Sequence, residues 1–294
     1  MTGNLKPYLK LHFIIFIWGF TAVLGALIQL DYFSLTWFRM GMATVILLIF
    51  ILLSSRQRKN FFPFDVKMQL RYLSGGIIIA LHWIAFFYAI KVSNVSITLL
   101  TMSSGAFFTS LIEPVFFKRK VYGYEIVFGL LILFGFILLL KIEQIEFTGV
   151  YFALIAAFLS GLFSVMNGIF IQNQSGEVLS FFQLFYGFLF LTLILLISGD
   201  LQNLPLPTFS DWIYIFILAS ICTAYAFTES IRLMRYLSPY TVMLSINLEP
   251  VYGIILAVII LGDKEKMHTG FYIGTAIILL IILLNSVIKY RKKY

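Results

Sequence analysis

Ten long apolar stretches follow one another along the chain, separated by short polar or turn-rich breaks. They begin near Leu9, Ser34, Leu70, Asn94, Gly123, Phe147, Val178, Asp211, Ser238 and His268, and end near Gln29, Ser54, Ile90, Phe117, Leu140, Ile171, Ser198, Leu233, Leu261 and Ile288. Each approaches the ~20 apolar residues that carry a helix across a bilayer. The breaks from Lys91 to Asn94 and from Arg235 to Ser238 are brief, which predicts tight helical hairpins. The first stretch has spanning length, longer than the apolar region of a cleaved leader, so it predicts a retained helix. The pattern predicts an all-α polytopic membrane protein with ten transmembrane helices.

Composition agrees with that pattern. Of 294 residues, 61% are hydrophobic and only 12% charged. A soluble domain of this size has too little interior to hide so much apolar surface. Charge then orients the helices. If both termini are cytoplasmic, Lys6, Lys10, Arg56, Arg58, Lys59, Lys67, Arg71, Lys118, Arg119, Lys120, Arg232, Arg235, Lys289, Arg291, Lys292 and Lys293 all fall inside. The outside loops receive only Lys91, Lys141, Lys264 and Lys266, which fits the excess of basic residues in cytoplasmic loops. The expected location is the cell's inner (plasma) membrane. The net charge of +8 follows from topology and from attraction to anionic lipid, with no nucleic-acid partner required.

The chain also repeats itself. An offset of 136 matches Glu113-Pro114 with Glu249-Pro250, but it lays the basic turn at Lys118 on the apolar Ile254-Ile255-Leu256. An offset of 145 pairs Ser93 with Ser238, Leu99 with Leu244, Leu111 with Leu256 and Gly129 with Gly274, and turns then meet turns. The repeats are expected over residues 1–142 and 143–294. A repeat holding an odd number of spans inserts in opposite senses in its two copies. That is the inverted pair of five helices that transporters use to build two alternating conformations around a midplane site.

Specific residues carry a family resemblance: Trp18-Gly19 in the first span, Phe38-Arg39 in the second, Ala89 to Ser93 closing the third, and Leu248-Glu249-Pro250-Val251 followed by Leu261-Gly262-Asp263 and Gly274. With these the chain resembles the drug/metabolite transporter superfamily, and within it the bacterial transporters made of two EamA repeats. Ser104-Gly105 stands where the first repeat of that family often has a proline, and Asp263 where glutamate is usual. The resemblance implies a central cavity formed by spans one to four and six to nine, with spans five and ten at the periphery. It also implies export or exchange of amino acids and similar metabolites.

Ionisable groups within a bilayer are costly and face protein or a watery cavity, so they are the first candidates for function. Glu249 lies midway along the ninth span and precedes Pro250, whose missing N–H leaves a carbonyl one turn earlier unbonded. It is either a substrate-ammonium or proton site at a hinge, or a carboxylate that bonds nearby backbone. Arg39 can bind a substrate carboxylate through its guanidinium fork or snorkel to the outer headgroups. Glu229 has Arg232 one turn on, a spacing for a local ion pair, and Glu113 lies close to Lys118 with Pro114 disturbing the turn as a second hinge candidate. His82, beside Trp83 in the third span, is a substrate or proton ligand or an interhelical hydrogen bonder. Trp18 lies mid-span, away from the headgroup belt tryptophan prefers. With Tyr88, Asn167 and Tyr225 it is expected to line an amphipathic pocket. Gly270 and Gly274 form a small-xxx-small pair on the tenth span, suited to packing within the chain or to a homodimer contact.

Other chemistries lack their residues. Cys222 is the single cysteine and the three histidines are scattered, so no local metal motif is present. No phosphate-binding glycine loop, GxSxG, HExxH or paired intramembrane aspartates occur. An intramembrane enzyme or a receptor is therefore the weaker alternative. The expected protein is not an enzyme, uses no cofactor, and moves a small-molecule substrate with protons as a candidate coupling ion.

Overall fold

The computed structural model describes residues 5–61, 65–118, 120, 123, 126–127, 130–131, 134, 147–277 and 280. Most of the expected fifth span, the later part of the tenth, and Arg119 and Gly129 of the repeat pairing lie outside the described residues. Among the described residues every regular element is a helix: α1 (Leu5–Leu27), α2 (Tyr32–Leu53), the short α3 (Ser55–Phe61), α4 (Val66–Val92), α5 (Val95–Met102), α6 (Gly105–Phe117), α7 (Phe147–Phe170), α8 (Gly176–Ser198), α9 (Phe209–Ile217), a π-helical segment (Leu218–Tyr225), α10 (Ala226–Leu233), α11 (Pro239–Ile246) and α12 (Glu249–Leu261), with short 3₁₀ turns between some of them. Joined where they are continuous, they give eight helices long and apolar enough to cross a membrane. The protein is thus a multi-pass membrane protein, and its exposed Phe13, Leu53, Ile197 and Ile259 suit a lipid-facing surface.

Short polar side chains set where these helices start. The Asp31 carboxylate accepts from the Phe33 and Ser34 amides at 2.8 and 3.0 Å and opens α2. Asn94 caps α5 through the Ile97 amide at 2.8 Å, closing the expected hairpin after Lys91. Thr208 and Asp211 form a reciprocal capping box on α9, and Ser238 caps α11 after the second tight hairpin. Such caps satisfy amides that have no partner within their own helix.

Two spans that read as continuous in the sequence are broken in the structure. The fourth splits at Ser103 and Ser104, whose amides bond one residue short, to Leu100 and Thr101 at 3.1 and 3.0 Å. The ninth splits at Asn247 and Leu248, with Leu248 bonded to Ser245 and Val251 to Leu248 in the same tight manner. Pro250 follows at the start of α12, where its missing N–H costs least. The bounds of α5 and α6 recur in α11 and α12 at a constant spacing of 144 (239 − 95, 246 − 102, 249 − 105 and 261 − 117). That is one residue from the sequence-based register, and it lays Glu249 on Gly105.

Helices of the two halves interleave. α4 packs on α7 and α8, α1 on α12, α2 on α8 and the π segment, and α6 on α7. Two close approaches depend on glycine. A Cβ on Gly19 would lie 2.9 Å from the Tyr252 Cβ, and one on Gly76 2.5 Å from the Gln183 carbonyl oxygen. Polar contacts tie each end of the bundle. At the end where α1 begins, the basal face, Lys10 pairs with Glu229 at 2.5 Å and Arg232 bridges Glu229 and Glu177. At the opposite, distal face the Asp211 carboxylate accepts from the Gln29 amide at 2.8 Å, the Lys91 ammonium donates to the Ile28 carbonyl, and Glu265 accepts from the Val95 and Ser96 amides.

Candidate functional site

Between these two tied ends the interior holds a cavity of ≈ 90 Å³, to which Trp18, Arg39, His82, Trp83, Cys222 and Glu249 all contribute. Its walls come from both halves of the chain. Arg39 is its centre, a guanidinium only 2% exposed and among the largest fully buried side chains. A lone cation in such a place would be prohibitively unfavourable. Two contacts offset that cost. The guanidinium carbon lies 3.8 Å from the centroid of the Trp83 ring, and Nε donates to the Thr223 hydroxyl at 2.8 Å. Glu249, half-buried, lines the same cavity within electrostatic reach of Arg39.

The π segment determines how Thr223 meets Arg39. A π-turn holds one residue more than an α-turn, and it tends to occur at functional sites. Here the Thr223 hydroxyl donates to the carbonyl five residues back, Leu218, at 2.7 Å, which leaves its lone pairs to accept from Arg39. The neighbouring Cys222 carbonyl accepts from the Trp18 indole N–H at 3.1 Å, so that mid-span indole is satisfied by a backbone group of the widened turn. His82 Nδ1 lies 2.8 Å from the Ala156 carbonyl, which can only accept; Nδ1 therefore carries hydrogen, and in a neutral ring Nε2 is an acceptor.

Four of the expected site residues therefore meet: Trp18, Arg39, His82 and Glu249. The other three do not line this cavity. Tyr88 is held between Tyr32 and Phe152, with ring centroids 4.8 and 4.4 Å away. Asn167 is fully buried and accepts from Gln183 Nε2 at 2.7 Å. Tyr225 is 43% exposed on the outer surface of the π segment. Of the two prolines, Pro250 starts α12 beside the cavity, whereas Pro114 is buried inside α6, its carbonyl accepting from the Lys118 amide. Residues not singled out from sequence also join the site: Thr223, which accepts from Arg39, Thr21, which lines the cavity beside Cys222, and Ser164, which donates to the Met243 sulfur at 3.1 Å.

At the basal face, Glu177 and Arg232 of the ionic cluster line a second, larger pocket of ≈ 790 Å³ together with Arg56, Gln57, Gln174 and Arg235. The pair expected between Glu229 and Arg232 is present, and it extends to Lys10 and Glu177. Gln57 donates to Glu177 at 2.6 Å, so α1, α3, α8 and α10 converge on this one cluster. The central void is well below the ~300–1,000 Å³ of ordinary ligand pockets, so its walls have closed on little free volume.

The model of the EamA-like transporter family matches residues 6–141 and again 147–287. The chain belongs to that family. Two copies of the family unit thus account for nearly the whole of this EamA-like chain, in the positions where the α5–α6 and α11–α12 breaks repeat. A curated relative, an uncharacterized transporter from Clostridium kluyveri, is 22% identical over 228 residues, covering 74% of this chain and 70% of its own. A crystal structure of a protein 15% identical in sequence shares the fold with a TM-score of 0.71, covering 99% of this chain and 98% of that one. Together these identify a membrane transporter.

Proposed function

We propose that this EamA-like protein is a secondary transporter that exports or exchanges small organic metabolites such as amino acids, by alternating access around the cavity at Arg39 and Glu249. Its ten helices form two inverted five-helix repeats in the inner (plasma) membrane. The basal face is cytoplasmic, where its basic residues satisfy the positive-inside rule. The observation that carries this reading is that two ionisable side chains of opposite sign, the buried Arg39 on α2 of the first repeat and the half-buried Glu249 on α12 of the second, line one cavity. Charges kept at that depth serve a polar solute or a proton far better than they serve packing. α12 meets α11 at a break rather than through a continuous helix, so a tilt of either helix moves Glu249 relative to Arg39. Protons are the coupling ion in this reading, with Glu249 as the group they reach and His82 in the same cavity wall. A homodimer contact through Gly270 and Gly274 of the tenth helix completes it.

The test is flux into liposomes containing the purified protein, using labelled amino acids, nucleosides and cationic dyes, with and without a proton gradient. Glu249→Gln is expected to lower flux of the carried solute at least ~tenfold, equivalent to about 1.4 kcal/mol on the limiting barrier. Wild-type flux in that variant would remove Glu249 from the mechanism, and crosslinking in intact membranes that traps only monomers would remove the dimer.

A further inference from the structure

Resting on that reading, we infer that Arg39 is the receptor for a carboxylate on the transported solute, and that Thr223 of the π segment is the residue that positions it. Three features of one guanidinium support this. Its face is covered by Trp83 at 3.8 Å, so its donors point outward in the plane of the group. Its Nε edge is committed to the Thr223 hydroxyl at 2.8 Å. Its Nη1, buried in the wall of the cavity, has no hydrogen-bond partner among the described residues.

A stacked guanidinium anchored through Nε presents one remaining recognition edge, the end formed by its two terminal nitrogens. That edge matches a planar acceptor with two oxygens, which is a carboxylate. An unfilled buried donor is also an unsatisfied cost, recovered when such an acceptor arrives. Glu249 lines the same cavity and, as a carboxyl group, favours a solute that also carries a positive group, so the class that suits both side chains is a zwitterion with adjacent carboxylate and ammonium groups. The aromatic rings of Trp18, Phe86, Phe163 and Phe227 leave apolar surface for its remainder.

Thr223 enters because it fixes the guanidinium's rotation about the Trp83 face. Its hydroxyl donates its own hydrogen to Leu218 across the π-turn, which fixes the orientation of the lone pairs that receive Nε. Thr223 touches no solute; it aims the group that does. A purely structural role would affect all solutes alike, whereas a positioning role affects only those that carry a carboxylate.

The test uses the full chain in liposomes with labelled L-alanine, L-leucine and L-phenylalanine, and with the methyl ester and the decarboxylated amine of each as competitors. We expect at least one acid to be carried and its ester to compete at least ~tenfold more weakly, the size of effect that loss of one charge-assisted contact produces. Thr223→Val is expected to raise the half-saturating concentration of that acid about tenfold while leaving inhibition by the amine within about twofold, and Thr223→Ser, which keeps the hydroxyl, to restore the acid to within about twofold. Equal weakening of acid and amine in Thr223→Val, or failure of Thr223→Ser to rescue at an unchanged unfolding temperature, overturns the inference. If Thr223→Val does not fold, Arg39→Lys carries the test: it keeps the charge and loses the fork, and equal effects on acid and amine again overturn it. Flux with no preference for acids over esters overturns this inference and leaves the transport reading standing; no flux of any probe overturns both.

Discussion

A buried histidine shows how a residue can be a candidate for chemistry and for structure at once. His82 donates from Nδ1 to the Ala156 carbonyl, a bond that an asparagine side chain can reproduce. His82→Asn is therefore expected to unfold near the wild-type temperature in detergent, while His82→Leu loses about 1 kcal/mol of stability, the net worth of one intramolecular hydrogen bond. Equal losses in the two variants would show that the ring's packing, not the bond, is what matters. The same scale explains which site residues were legible. Trp18, Arg39, His82 and Glu249 stand out because polar or amphipathic groups at mid-span are costly, and all four meet at the cavity. Tyr88, Asn167 and Tyr225 were equally plausible by depth, but depth says nothing of direction around a helix axis. In helices apolar on every side no polar face marks which way a side chain points.

At the scale of elements, spans and hairpins were readable because apolar length and capping residues leave direct traces. The breaks at Ser103–Ser104 and Asn247–Leu248 were not, and neither was the π segment, since hydropathy is blind to a turn that gains or loses one residue. Only Pro250 marked one of the three, and it lies just after its break. Close packing of α4 on α8 gives a prediction at this scale. Gly76→Val places a side chain where the Gln183 carbonyl already sits 2.5 Å from the Cβ position. It is expected to destabilise the protein by about 1–3 kcal/mol, as overpacking does. Gly123, with no atom of the described residues within 4 Å of its Cβ position, is the control. Gly123→Ala is expected to be neutral or to stabilise slightly, given the helix propensity of alanine. Thermal unfolding of both variants in one detergent reads the contrast, and a Gly76→Val protein as stable as wild type would disprove the close approach.

Across the whole molecule, the two ends are tied in different ways. The distal face relies on the Asp211 and Glu265 carboxylates accepting from backbone amides and on Lys91 donating to a carbonyl, whereas the basal face adds the ionic cluster of Lys10, Glu177, Glu229 and Arg232 to the bonds Arg235 makes to backbone carbonyls. Removing one member of a partly buried cluster leaves the others uncompensated, so Arg232→Ala is expected to loosen the basal seal. In a Cys222→Ala background, a cysteine placed at Ser230, in the cavity wall just above the cluster, is then expected to react several-fold faster with a membrane-impermeant maleimide applied from that side. No change in rate would mean that packing and not charge closes the basal end. The π segment bears on this seal as well. Each residue advances an α-helix by ~100°, so the surplus residue among Leu218–Tyr225 sets the angular phase of everything that follows it to Leu233. Deleting one residue there, Ala224 for instance, would swing Glu229 and Arg232 by about 100°, away from Lys10 and Glu177. A single codon thus sets the phase that joins the guanidinium at the centre to the ionic latch at the edge, and neither could be moved along the helix without the other.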